Sequence, residues 1–237
     1  MLIEHHIKPE IRDRFEFKDY GHALEILTSS YKEEWNDILG CLESLSITLG
    51  EITTAGGNKS PIPEKFDDYL FPRGWTETKI TADLLVKKMD RSGRTNAGEK
   101  FHADRMEEIT VEGFIDGHNV DFIKGKVAFD LEWNSKDQTF DRDLLAMRNY
   151  YEARIIDVGI IITRAEDLND VFSELGIKKK YGASTTWMGK LIPRLEARRN
   201  GGCPVLAIGI KKECVEGYDR IREYSSKLAE LHEGEEV

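Results

Sequence analysis

The chain has 237 residues, enough for one large domain or two small ones around a sizeable core. Hydrophobic residues make up 40% and charged residues 33%; no apolar run approaches the roughly 20 residues of a membrane span, and the Met-Leu-Ile-Glu-His-His start has no signal-peptide pattern. A net charge of −10 argues against a uniformly basic nucleic-acid binder, and the scattered Cys41, Cys203 and Cys214 argue against a cysteine zinc site and for a reducing compartment, the cytoplasm.

In chain order, residues 19–47 read as helical, with Ala23, Leu24, Ile26 and Leu27, then Trp35, Ile38, Leu39, Leu42 and Leu45 at helical period. A break is expected near Thr28-Ser29-Ser30, where Ser caps the second helix. Residues 54–63 are a loop by Gly and Pro content. A helix carrying Phe66, Tyr69 and Leu70 follows and ends near Arg73-Gly74-Trp75. Residues 91–100 look exposed. From about residue 108 the pattern becomes α/β: a hairpin over 109–133, a polar turn at Asn134-Ser135-Lys136-Asp137, and a helix over 139–153. A strand buried on both faces follows at Val158–Thr163, with helices at 165–175 and 187–199. Cys203–Ile210 is a second buried strand, and 215–231 reads as a closing helix. The expected organisation is a single domain over 1–237. Residues 1–107 are mainly helical, 108–231 form the α/β core, and 232–237 are an acidic tail. Strand, helix, strand, helix, strand around one core implies a mixed sheet flanked by helices.

The hairpin carries the most chemistry. Gly125-Lys126 suits a two-residue type II′ turn, with Gly first. Asp121 then falls opposite Asp130, and Asn119 opposite Glu132. Alternation puts Asp130 and Glu132 on one face with their cross-strand partners, while Phe122, Val127, Phe129 and Leu131 can bury the other. Three crowded carboxylates destabilise an ordinary sheet, and they suit a hard divalent cation such as Mg2+. Acids alternating with apolar residues also describe a merely solvated strand face, so spacing alone leaves both readings open.

Tyr20-Gly-His-Ala-Leu-Glu-Ile-Leu, Trp35, the Leu70 to Trp75 segment, Asp121-Phe-Ile-Lys-Gly-Lys-Val-Ala-Phe-Asp130-Leu-Glu132-Trp133 and Ile156-Asp157-Val158-Gly159 occur in this order. With these anchors the chain resembles the BglII/BstYI group of type II restriction endonucleases, relatives of BamHI in the PD-(D/E)XK nuclease superfamily. The resemblance implies a restriction-endonuclease-like α/β fold with an N-terminal helical segment. It also implies a homodimer that uses Mg2+, one or two ions per site, to cut a short palindrome in double-stranded DNA and leave 5′-phosphate ends. Asp121 matches the first aspartate and Asp130 the second acid, both metal ligands; Glu132 takes the position that is lysine in most of the superfamily. That position is glutamine in BglII-like members and glutamate in BamHI. The chain departs from its nearest kin with Asp for Glu and Glu for Gln, and Glu132 favours a BamHI-like arrangement in which an acid orients or deprotonates the attacking water.

Accessory roles are open for Asn119, as an orienter of water or phosphate, and for a fourth acid among Glu99, Glu107 and Glu108. The stretch Lys178-Lys179-Lys180-Tyr-Gly-Ala-Ser184-Thr185-Thr186 suits DNA contact, lysines on phosphate and hydroxyls on phosphate or base edges. It equally suits a capped helix start. Arg194 and Arg198 at helical spacing could reach the DNA backbone or simply be solvated. Rival readings are a structure-specific or repair nuclease on the same core, and a DNA-binding protein that has lost catalysis.

Overall fold

The computed structural model describes residues 2–53, 61–94, 96–182 and 184–221. Two short helices open the chain, α1 (Leu2–His6) and α2 (Pro9–Arg14). The segment Phe15–Tyr20 is then a strand, β1, not the start of a helix. Phe15 and Phe17 point into the core while Glu16 and Lys18 point outward, a period-2 pattern too short to stand out beside the helix after it. Gly21 (φ +66°) and His22 (φ +61°) both adopt the left-handed region and separate β1 from α3 (Ala23–Ser30). The next helix, α4 (Lys32–Ser44), starts after Tyr31, whose φ of −125° breaks the helical path; no serine side chain caps it. Then come α5 (Leu49–Thr53) and α6 (Pro61–Leu70), which buries Ile62, Phe66 and Leu70. The loop expected at 54–63 lies outside the described residues as far as 60, and Pro61 already begins a helix.

Two long strands follow, β2 (Thr76–Asp90) and β3 (Arg105–Lys124), and then β4 (Val127–Glu132), α7 (Thr139–Glu152) and β5 (Val158–Arg164). The chain continues through α8 (Leu168–Glu174), α9 (Met188–Glu196) and β6 (Val205–Ile210). Val215 makes an isolated bridge to Ile47 and Tyr218–Arg220 form a 3-10 turn, so the expected closing helix does not begin at 215. The rest of that helix and the acidic tail lie outside the described residues.

The strands form a six-stranded mixed sheet in the order β1-β6-β5-β4-β3-β2. The β4–β5 and β5–β6 pairs are parallel, and β3–β4 and β1–β6 are antiparallel. Helices flank it, as expected of a restriction-endonuclease-like α/β fold. Phe122, Val127, Phe129, Leu131, Ile160, Ile162, Leu206 and Ile208 on one face join the main core with residues of α3, α4, α6 and α8. The other face is covered by α7 and α9, and small residues let these helices approach. A Cβ on Gly159 would collide with Met147 of α7, and one on Gly209 with Met188 of α9.

The chain divides into two compact units. One contains the residues up to Glu77 and from Val120 onward; the other is Thr78–Asn119. The second unit is a two-stranded ribbon from the outer lengths of β2 and β3. Leu85, Met89, Met106 and Phe114 are exposed on it, each by more than half. Among its described residues only Ile115 is buried, so residues 76–90 carry no alternation that marks a strand in the sequence.

Candidate metal centre

The site is built on the β3–β4 turn. Gly125 has φ +56° while Lys126 keeps negative φ, the combination of a type II′ turn. The ladder pairs Phe122 with Phe129, Ile123 with Ala128 and Lys124 with Val127, the register expected from that turn. Beyond Phe122 and Phe129, side chains take over from the backbone. The Asp121 amide donates to Asp130 Oδ1 (3.0 Å), and the Leu131 amide donates to Asp121 Oδ2 (2.9 Å). The two aspartates therefore face each other across the hairpin. Asn119 lies further along β3, exposed and in the second unit.

Strand β4 is buried throughout, with Asp130 only 3% and Glu132 7% exposed. A solvated strand face is thereby excluded. The cover is α7, and it brings a fourth acid, Asp143, 1% exposed. Carboxylate oxygens of Asp130 and Asp143 lie within 4.8 Å of each other. Asp143 lies close enough to Glu132 to repel its charge, and the Glu132 carboxylate takes bonds from Ser135 and from Thr139 Oγ1 (3.3 Å). Asp143 sits on the apolar stripe of α7, level with Phe140, Leu144 and Met147. A charged residue on a buried helix stripe is the sequence signal that could have found it. The earlier candidates for a fourth acid lie in the second unit with cations of their own: Glu108 on Lys87 (3.1 Å), Glu107 near Lys88 (3.9 Å), and Glu99 on Arg91 (3.3 Å).

Burial and mutual repulsion raise the proton affinity of Asp121, Asp130 and Glu132. Burial pushes Asp130 well above the ordinary carboxylate range, with Asp143 and Asp121 adding to it. Burial, then Asp143, pushes Glu132 up to about 8. Asp121 is raised by burial, partly offset by the Leu131 amide. Asp130 Oδ2 is buried and accepts no hydrogen bond among the described residues. Crowded carboxylates and an orphaned buried carboxylate oxygen fit a hard divalent cation. Asp121, Asp130 and Asp143 could hold one, with Glu132 beside them.

The residues expected to contact DNA separate into two groups. Lys178, Lys179, Ser184 and Arg198 are exposed. The others have inward roles. Lys180 Nζ donates to the Ile52 carbonyl (2.9 Å), Thr185 Oγ1 to the Gly182 carbonyl (2.7 Å), and Thr186 is fully buried. Arg194 lies 3.1 Å from Asp141 and 3.7 Å from Asp137. The direct base or phosphate contact expected of the Thr186 side chain does not fit its burial.

Among described residues no helix is long and apolar enough to cross a membrane, and all three cysteines are buried free thiols. No curated protein sequence matches the chain. The family described as restriction endonuclease BglII/BglIII matches residues 15–210, a span that begins with the first residue of β1, ends with the last of β6 and encloses the four acids. The chain belongs to the BglII/BglIII restriction endonuclease family.

Proposed function

We propose that the protein is a type II restriction endonuclease. Acting as a homodimer with Mg2+, it hydrolyses one phosphodiester bond per strand at a short palindromic site in double-stranded DNA and leaves 5′-phosphate ends. Residues 1–237 act as one nuclease domain. The observation that carries this reading is the burial of Asp130, Glu132 and Asp143 together, with half-buried Asp121 across the hairpin, in a chain of this family. An ordinary fold gains nothing from such crowding, whereas a cation site requires it.

Asp121 and Asp130 hold the cation, and Asp143 adds charge beside Asp130. A bound divalent cation supplies charge relief on the phosphoryl oxygens and raises the acidity of the attacking water. Glu132, pushed up to about 8 in the free protein, is suited to orient that water and accept its proton. Thr139 and Ser135 fix the Glu132 carboxylate, so its orientation does not depend on the DNA. Lys178, Lys179, Ser184 and Arg198 are the exposed groups available to DNA, and Lys-to-phosphate contacts make binding salt-dependent. Two-fold symmetry in the protein would mirror two-fold symmetry in the target.

The test is incubation of purified protein with phage-length duplex DNA, with Mg2+ or EDTA, beside an Asp121→Ala control. Discrete bands that require Mg2+ and vanish in the variant support the reading, and the fragment ends give the site. Cleavage only at branched or damaged DNA would replace it with a structure-specific nuclease. Binding without any cleavage would replace it with a DNA-binding protein.

A further inference from the structure

Arg164, the last residue of β5, is fully buried. Glu132 pairs with Thr163, so Arg164 belongs to the opposite face of the sheet, with Ile160 and Ile162. Its guanidinium lies 5.3 Å from the Phe172 ring centroid and 5.1 Å from that of Tyr181. Those two rings stack on each other at 4.0 Å. Its hydrogen bonds run to neutral oxygens: Nε and Nη2 donate to the Thr186 carbonyl (3.1 and 2.8 Å), and Nη2 to Thr185 Oγ1 (2.6 Å). Nη1 is buried without a hydrogen-bond acceptor among the described residues. Burial pulls the group down to about 10. A buried cation held by neutral oxygens and rings alone is costly, so its position calls for a function.

What it holds is the segment 184–186, and that segment is tied to 135–137. The Asp137 amide donates to the Ser184 carbonyl (2.8 Å), the Thr186 amide donates to the Ser135 carbonyl (2.9 Å), and Lys136 bridges Thr185 in antiparallel fashion. Residues 135–137 join Glu132 to the start of α7. Ser135 and Thr139 bond the Glu132 carboxylate from either side of this turn, and α7 then carries Asp143 into the acid cluster.

We propose that Arg164 is a positioning residue for the acidic site. From the far face of the sheet it fixes 184–186, and through that segment it fixes the turn that sets Glu132 and Asp143 beside Asp130. The inference rests on the nuclease reading for its consequence, but the mechanical link stands on its own contacts. A lysine cannot replace it, because an ammonium lacks the planar fork that reaches two oxygens while stacked on rings.

The experiment uses the full chain as Arg164→Lys and as Thr185→Val, which removes one acceptor of Arg164 together with the Thr185 hydroxyl's bond to the Gly182 carbonyl. Amide hydrogen exchange is read at Asp137 and Thr186, with the amides of β6 as internal reference. Ca2+ binding is read by thermal shift, without catalysis. For Arg164→Lys, exchange at Asp137 and Thr186 should accelerate about tenfold and half-saturating Ca2+ should rise by a similar factor, with β6 unchanged. Thr185→Val should move both readouts the same way, by about threefold. Unchanged protection and Ca2+ saturation in folded Arg164→Lys overturns the proposal, as does acceleration that includes β6 equally. If Arg164→Lys does not fold, the same outcomes in Thr185→Val decide it. A wild-type chain without any Ca2+ shift would overturn the cation-site reading, while exchange at Asp137 and Thr186 would still decide what Arg164 holds.

Discussion

Carboxylates on strand β4 and carboxylates on the ribbon of the second unit look alike in the sequence and behave oppositely in the structure. On the ribbon, acids sit in solvent beside groups that favour their charge. The Asn96 side chain and amide, then Arg91, pull Glu99 below the ordinary range, and the Ser92 amide and hydroxyl do the same for Asp104. On and around β4, Asp121, Asp130 and Glu132 are all raised, burial being the first cause for each. The lesson is that function shows in where charge is made costly. A protein spends stability on buried like charges where a ligand will relieve the repulsion.

Removing one of the costly acids should break the contrast most strongly. Asp130→Asn should lower Mg2+-dependent cleavage by about a thousandfold or more, the several kcal/mol that cation positioning supplies to phosphoryl transfer. The same change should raise the melting temperature of the metal-free protein, since it removes a buried charge that three neighbours repel. Loss of activity with loss of stability would instead make Asp130 a structural residue. Next in size is the effect of the cation itself. Ca2+ at about a hundredfold over its dissociation constant should stabilise the wild-type chain by about 2.7 kcal/mol. Asp130→Asn should lose most of that gain, as thermal denaturation with and without Ca2+ will measure.

The pH dependence of the metal-free chain sharpens the comparison further. Glu132 moves from an ordinary value of 4.5 to about 8 on folding, so the folded protein binds its proton more tightly than the unfolded chain. Its contribution to stability is fully present below the unfolded value and is lost as pH rises through about 8. Asp121 and Asp130 act in the same direction. In EDTA the melting temperature should therefore fall between about pH 5 and pH 9, and Glu132→Gln should flatten the upper part of that fall. A melting temperature that does not change over this range would remove the electrostatic argument.

The hairpin was legible because its turn, its register and its alternation all depend on local residues: Gly125 sets the turn, and the turn sets which acids meet. The strands β5 and β6 were legible as continuous apolar runs. Three things were not. Strand β1 is short, and its Phe15/Phe17 alternation precedes a strong helical period from which only Gly21 and His22 separate it. Strand β2 buries almost nothing, and β3 little over the ribbon, so β2 and the start of β3 before residue 109 carried no burial pattern in the sequence. Asp143 joins the site through tertiary packing of α7 on β4; its charge on the apolar stripe of α7 marks it as unusual, but spacing does not say which strand it meets. The stretch at 178–186 divides into exposed and inward-turned residues, which composition alone does not separate. The Thr185 hydroxyl and Lys180 make their bonds to Arg164, Gly182 and Ile52, partners not deducible from composition.

The smallest expected effect tests the other side of the comparison. Glu108 faces Lys87 at 3.1 Å, with the two side chains 49% and 54% exposed, so solvent screens most of their attraction. Glu108→Gln should change stability by less than about 1 kcal/mol, as exposed ion pairs generally do. It should also leave Mg2+-dependent cleavage and the Ca2+-induced thermal shift at wild-type values, because the acid that completes the site is Asp143. A large loss of cleavage in Glu108→Gln, with stability intact, would assign Glu108 a catalytic role and end the distinction between costly and cheap charge on which the site was recognised. A small loss of stability with full activity would leave the ribbon's acids as ordinary solvated groups, held by their neighbours and answerable to salt.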